Sequence, residues 1–231
     1  MAVLRVQTAK AGTAAPNVSS LAAIFGSNVA AGNLLIAIVR VASSGVVSSV
    51  TDSQGNTWTL RASNVGVDPK LYLYSAVAGA SSANTVTATF STTANFRWLF
   101  CVEYAGADAF DVADDKNGTN ATDLVSDPFS TTAAGVVVLA GSQNGFAVYT
   151  AGADFTIVDG SIGSGTSFFG GVEERITSGS LSSYTGHLTS NVGAGLNYVT
   201  VTAAFTAAAG GHPAMRRFGR SPIGVEGVRV Y

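Results

Sequence analysis

Few residues of this chain have the types and spacing that chemistry needs. His187 sits in a Ser/Thr/Gly-rich stretch and His212 precedes Pro213; neither has an i, i+4 histidine or a cysteine neighbour of the kind that builds a zinc site. Nucleophilic catalysis needs a hydroxyl or thiol beside a positioned base. Serines abound here, but bases are nearly absent. The single cysteine, Cys101, lies in Trp98-Leu99-Phe100-Cys101-Val102 and reads as a small buried hydrophobe. No G-x-S-x-G elbow, phosphate-binding P-loop or G-x-G-x-x-G turn occurs. Adjacent Glu173 and Glu174 would point to opposite faces of a strand and cannot share one proton-transfer task. Glu103 falls mid-strand, where only a second carboxylate about 5 to 10 Å away would complete a glycosidase pair. These residues predict no enzyme, no catalytic residue and no required cofactor.

Two charge clusters remain. Asp108, Asp111, Asp114, Asp115, Asp123 and Asp127 crowd a segment, roughly 106–128, with Lys116 as its one base. That segment lacks a strand signal and reads as an acidic loop. Its Asp114-to-Asp123 portion is faintly like a calcium loop, but a register with Gly118 as the turn glycine would begin at Ala113 and end at Leu124, neither a ligand. Asp114, Asp115 and Asp123 are thus the metal candidates of an irregular Ca2+ site, set against a solvated loop or a docking surface for a neighbour's arginines. The second cluster is Arg216, Arg217, Arg220 and Arg229, four of the twelve basic residues in the last sixteen positions. With Phe218 among them, they suit charge-assisted pairing with carboxylates of a partner.

The elements around these residues read as strands. Asn33–Ala42 is an almost unbroken apolar run carrying one charge, Arg40, as expected of a central buried strand. After it, Asp52-Ser53-Gln54-Gly55-Asn56 reads as a tight reversal with Gly55 at positive φ. Thr57-Trp58-Thr59-Leu60-Arg61 then alternates, making a hairpin with Trp58 as the large core anchor. Further strands are expected at 2–8, 70–77, 84–91, 95–105, 134–142, near 146–149 and 155–158, at 167–176 and at 196–205, with 20–25 a short turn or strand. On 70–77 both parities are apolar, as in a strand covered on both faces, whereas on 95–105 Phe96, Trp98, Phe100 and Val102 share one parity and Arg97, Leu99, Cys101 and Glu103 the other. The spacing predicts ten to twelve strands, no amphipathic helix and no fixed repeat period. The expected fold is therefore all-β, an antiparallel, jelly-roll-like β-sandwich. Its expected divisions are an N-terminal strand and arm (1–31), one sandwich domain (32–206) and an extended C-terminal arm (207–231), the last unstructured unless it is clamped by its own domain or a neighbour.

Composition narrows the partners. At 231 residues the hydrophobic share of 47% is ample for a core, whereas charged residues make up only 11%, under half the roughly 25% of ordinary domains. A surface of Ser, Thr, Ala, Gly and Asn suits subunits that pack against neighbours. A net charge of −2 argues against a general nucleic-acid binder. No secretion signal is read at the start, and no apolar run approaches the about 20 residues of a membrane helix.

The succession GNLLIAIVRV, VSSVTDSQGNTWTLR, KLYLYSAVAGASSANTVTATFS and FRWLFCVEYAG resembles a β-sandwich domain that recurs in virion proteins of tailed bacteriophages. The resemblance spans about residues 30–205, and its most specific parts are Asp52–Trp58 and Glu103-Tyr104-Ala105-Gly106. The ending HPAMRRFGRSPIGVEGVRVY also resembles short C-terminal arms of phage head-associated and tail proteins. The family brings no catalytic motif. It implies a structural virion protein: a capsid decoration (cement) or minor capsid protein, assembled in the host cytoplasm, homotrimeric, and bound to the major capsid protein and its own copies through arms, with neither nucleic acid nor membrane as partner. The alternative is a carbohydrate- or receptor-binding tail-fibre domain, or a carbohydrate-binding module, using Tyr72, Tyr74, Tyr149 or Tyr184 as an aromatic platform.

Overall fold

Backbone polar groups buried by apolar, alternating segments are satisfied chiefly by neighbouring strands, and the apolar segments of this chain pair accordingly. The computed structural model describes residues 2–13, 18–42, 45–91, 96–119, 122–164, 167–192 and 196–209. Among them there are sixteen strands and no helix. The first eight are β1 (Leu4–Thr13), β2 (Ser20–Ile24), β3 (Leu34–Val41), β4 (Val47–Asp52), β5 (Thr59–Asn64), β6 (Lys70–Val77), β7 (Thr85–Phe90) and β8 (Arg97–Ala105). The second eight are β9 (Ala107–Thr119), β10 (Asp123–Val125), β11 (Gly135–Gln143), β12 (Tyr149–Ala151), β13 (Thr156–Ser164), β14 (Ser167–Thr177), β15 (His187–Ser190) and β16 (Asn197–Ala207). Every ladder is antiparallel.

The strands form four sheets ordered β1-β8-β3-β6-β5, β2-β7-β4, β13-β14-β11-β16-β9 and β10-β15-β12. Adding eight to each strand of the first pair of sheets reproduces the second pair. The molecule is therefore two consecutive sandwiches of one topology, each wired as a jelly roll in which first and last strands are neighbours. The two five-stranded sheets face each other, and their contact is the central core: Leu34, Ile36, Ile38, Trp98, Phe100 and Val102 from the first meet Val136, Val138, Val172, Val199, Val201 and Phe205 from the second. The three-stranded sheets close the outsides. Leu35, Ala37, Val39, Leu99 and Cys101 pack under β2-β7-β4, with Val86, Ala88 and Phe90. Val137, Leu139 and Tyr198 pack under β10-β15-β12, with Leu124 and Leu188.

This four-layer order explains why β3, β8 and β11 are buried at nearly every position: each is covered on both faces. The expected parities hold, with Leu71 and Leu73 toward the central core and Tyr72 and Tyr74 toward the outer one.

Other expectations are corrected. Trp58 is only half-buried and Leu60 is 46% exposed; the core anchor is Trp98, fully buried between the sandwiches. Gly55 does take a positive φ of 72°, but the reversal is no hairpin, because β4 pairs with β7 and β5 with β6. The chain there crosses from one sheet to the other. The acidic segment is a long edge strand, β9, followed by β10, because the full length of β16 offers it a ladder. Residues before 32 contribute β1 and β2 to the first sandwich, and 32–206 spans parts of both.

Candidate functional site

The structure disperses most of the residues that could do chemistry. Neighbours on β9, Asp114 and Asp115 point to opposite faces: Asp114 accepts from the Asp127 amide at 2.9 Å, and Asp115 from Asn64 Nδ2 at 2.9 Å. Asp123 lies on β10, with its Oδ2 2.9 Å from His187 Nδ1. The three do not converge, and no group of three or more metal-ligating side chains occurs among the described residues. Arg216, Arg217, Phe218, Arg220, Arg229 and His212 lie outside the described residues.

The glutamates belong to the framework. Glu103, fully buried, accepts from Gln7 Nε2 at 2.6 Å, Asn33 Nδ2 at 2.6 Å and the Ala30 amide at 2.9 Å, pinning β1 and the entry to β3 onto β8. Glu173 and Glu174 do take opposite faces of β14. Glu174 turns to the central core, where it accepts the Tyr104 hydroxyl at 2.5 Å and lies 3.6 Å from Arg5. Burial and the adjoining Glu174 push the Tyr104 phenol up. Glu173 turns outward under β10-β15-β12 and accepts the amides of Gly152 (2.9 Å) and His187 (3.2 Å). Burial is the main reason its carboxyl is pushed up to about 8, the two amides opposing and Asp123 reinforcing. Tyr72 and Tyr149 are core residues, so they form no platform; Tyr184 is half-buried beneath the Arg175 guanidinium, 4.2 Å from its ring centroid.

Two polar knots lie at Asp52 and Arg40, residues that stand out in the sequence but to which pattern assigns no partners. Asp52, at the end of β4, accepts five hydrogen bonds. Its Oδ1 takes the amides of Gln54 (3.1 Å) and Asn56 (3.0 Å). Its Oδ2 takes Asn56 Nδ2 (2.7 Å), Trp58 Nε1 (3.1 Å) and Asn84 Nδ2 (3.1 Å). Burial pushes this carboxyl up, but donation from Asn56, Asn84 and Trp58 outweighs it and holds the group below the usual range. The second knot is Arg40, the one charge of β3. It reaches from the first sandwich into the second, donating through Nε to Ser142 Oγ at 2.8 Å, through Nη2 to the Gln143 carbonyl at 3.5 Å, and through Nη1 to the Phe96 carbonyl. Burial lowers it to about 10, against the attraction of Asp68.

The surface offers two kinds of feature. The outer face of β2-β7-β4 presents Ser20, Ala22, Thr51, Thr85, Thr87 and Thr89, a plate of hydroxyls and methyls in register across three strands, with Ile24, 71% exposed, beside Thr85. Two grooves also occupy equivalent places in the two sandwiches, where the central strand begins and its neighbour ends. The first, about 370 Å3, is polar: Leu34, Ala76 and Val77 are joined by Thr57, Arg61 and Asp108, and Arg61 lies 4.6 Å over the ring of Phe110. The second, about 380 Å3, is mostly apolar: Ala2, Val3, Ala134, Ile176 and Ala207 line it, with Thr177 and Ser178. Ile176 is 47% exposed. A further cleft of about 330 Å3 continues past Thr177 to Leu181. This apolar groove, beside the last strand where the Arg-rich segment departs, is the candidate functional site.

No family model, curated protein or solved structure matches this chain.

Proposed function

We propose that the chain is a structural subunit of a tailed-phage virion, a capsid decoration or minor capsid protein. In this reading it self-associates as a homotrimer, is assembled in the host cytoplasm and joins the major capsid protein through the segment after β16. The observation that carries the reading is the uncharged plate of Ser, Thr and Ala with the exposed Ile24 over β2-β7-β4. Such a face loses little when dehydrated against a neighbour, since its hydroxyls rotate to find partners and no ion must be stripped of water. Support also comes from the buried glutamates, which are occupied in holding strands together.

Co-sedimentation tests the reading. Full-length protein and protein ending at Ala209 are mixed with purified capsids of the encoding virus that lack this subunit. The full-length chain is expected in the pellet and the shortened chain in the supernatant. Equal recovery of both chains with capsids, or of neither, would overturn the proposal.

A further inference from the structure

From the apolar groove beside β16 we infer a docking site for the chain's own residues 225–231. The groove is the counterpart of a site that is polar in the first sandwich, yet here its walls are mostly Ala, Val and Ile side chains, with Thr177 and Ser178 beside them, and it leaves Ile176 half in water. The described chain ends at its rim: Ala207 lines it, and the Ala208 amide donates to the Gly106 carbonyl at 2.8 Å, so the chain leaves β16 beside the groove. The rest of the sequence includes Val225-Glu226-Gly227-Val228-Arg229-Val230-Tyr231, in which Glu226, Val228 and Val230 share a face if extended while Val225, Gly227, Arg229 and Tyr231 take the other. Val228 and Val230 suit the apolar walls of a shallow trough, with Arg229 left toward solvent and Glu226 further along the valine face.

Reach is no obstacle. Residues between Ala209 and Val228 span up to about 60 Å at about 3.3 Å each, against a radius of gyration of about 17 Å for a chain of this length. Tethering raises the effective concentration of the segment at the groove to the millimolar range, so a modest apolar contact suffices. A second copy must compete with that concentration, which is why the same chain is the occupant. Occupancy of the groove is independent of the virion reading, because the isolated chain is enough to test it.

The test is an engineered disulfide in the full-length protein, Ser178→Cys with Val228→Cys, compared with Ser53→Cys and Val228→Cys. Cys101 is buried and stays silent, while Ser178 and Ser53 are both exposed. Mild oxidation at low protein concentration is expected to give a cross-linked monomer at least tenfold faster in the first pair than in the second. In the wild-type chain, amide exchange at 225–231 should be slowed at least tenfold by docking, with Ile176→Asp abolishing the protection and Ile176→Val keeping it. Ile176 is exposed enough for the aspartate to leave the fold intact. Cross-linking no faster than in the control, cross-linked dimers in place of monomers (a second copy in the groove), or unprotected amides would each overturn the inference.

Discussion

Replacing Asp52 by asparagine should unlock the turn that joins the two sheets of the first sandwich. The substitution keeps size and shape, and its Oδ1 can still accept the amides of Gln54 and Asn56. The other atom changes from acceptor to donor, and it would then face Asn56 Nδ2, Trp58 Nε1 and Asn84 Nδ2, now 2.7, 3.1 and 3.1 Å away. Three donors lose their acceptor at once. Because the site is half-exposed and water can compensate in part, each loss is set at the low end, about 1 kcal/mol. The sum is about 3 kcal/mol, or a fall in Tm of about 6 °C at about 2 °C per kcal/mol for a chain this long. The sign with pH comes from the lowered carboxyl: its stabilisation is full above the unfolded pKa of about 3.9 and is lost as pH falls through the folded value. Urea unfolding, monitored by the fluorescence of Trp58 and Trp98, should therefore show the gap between wild type and Asp52→Asn at neutral pH and see it narrow as pH falls below the unfolded value of about 3.9. A gap under about 0.5 kcal/mol at pH 7, or one that persists unchanged into acid, refutes the reasoning.

The other buried groups give further expectations. Arg40→Met retains the aliphatic stem but leaves the Ser142 hydroxyl and the Phe96 and Gln143 carbonyls without its guanidinium; a loss of about 2–4 kcal/mol is expected from the urea midpoint. Glu173 has a folded pKa raised to about 8, so its contribution is full below the unfolded value of about 4.3 and is lost as pH rises through 8. In Glu173→Gln the fall of Tm between pH 5 and 9 should accordingly flatten, at the cost of one amide's acceptor at low pH. Cys101 is fully buried and burial pushes its thiol up, so a thiol reagent should label no cysteine in native protein and one per chain after unfolding.

The strands with strong alternation can be found from sequence because each answers to its own burial. Residues 70–77 match β6 at both ends, and the apolar runs at 33–42 and 134–142 match β3 and β11 within a residue or two. The elements that pattern misses are decided by partners. β9 contains five aspartates or lysines plus Asn117 and Gly118, residues depleted in strands, and it is a strand because β16 supplies a ladder along its length. Its charges also blunt an edge that would otherwise invite foreign strands. β15 is four residues long, too short for a pattern. Trp58 is over-read by pattern, since alternation alone cannot tell an inward parity from one whose indole N–H is held at a rim by Asp52. As for the candidate site, the groove is not legible, since it joins Ala2–Val3, Ala134, Ile176–Ser178 and Ala207 from four distant parts of the chain.

The duplication is hidden for a related reason, and the same contacts give its geometry. Aligning the sandwiches by ladder register, with Leu34 opposite Tyr104 in one and Val136 opposite Phe205 in the other, makes Arg40 the counterpart of Ser142. These two side chains bond to each other at 2.8 Å. Equivalent positions meet only where a two-fold axis passes between them, so the sandwiches are arranged as a dimer would be, fused into one chain. The edges agree: Lys10 of β1 and Asp115 of β9 are register equivalents, and each reaches the edge strand of the other sandwich, Lys10 to Asp159 of β13 at 2.6 Å and Asp115 to Asn64 of β5 at 2.9 Å. At such an axis identical residues face themselves, and two buried arginines there would repel at a cost no core would bear. One arginine with one serine is a solution open only to a fused chain, whose halves are free to differ. The same freedom sets Trp98 against Gly170, where a β-carbon would come within 2.4 Å of the indole ring, while the equivalent positions hold Val199 and Leu71. Large-for-small exchanges of this kind fill the shared core and remove the residue identities by which a repeat is recognised in sequence.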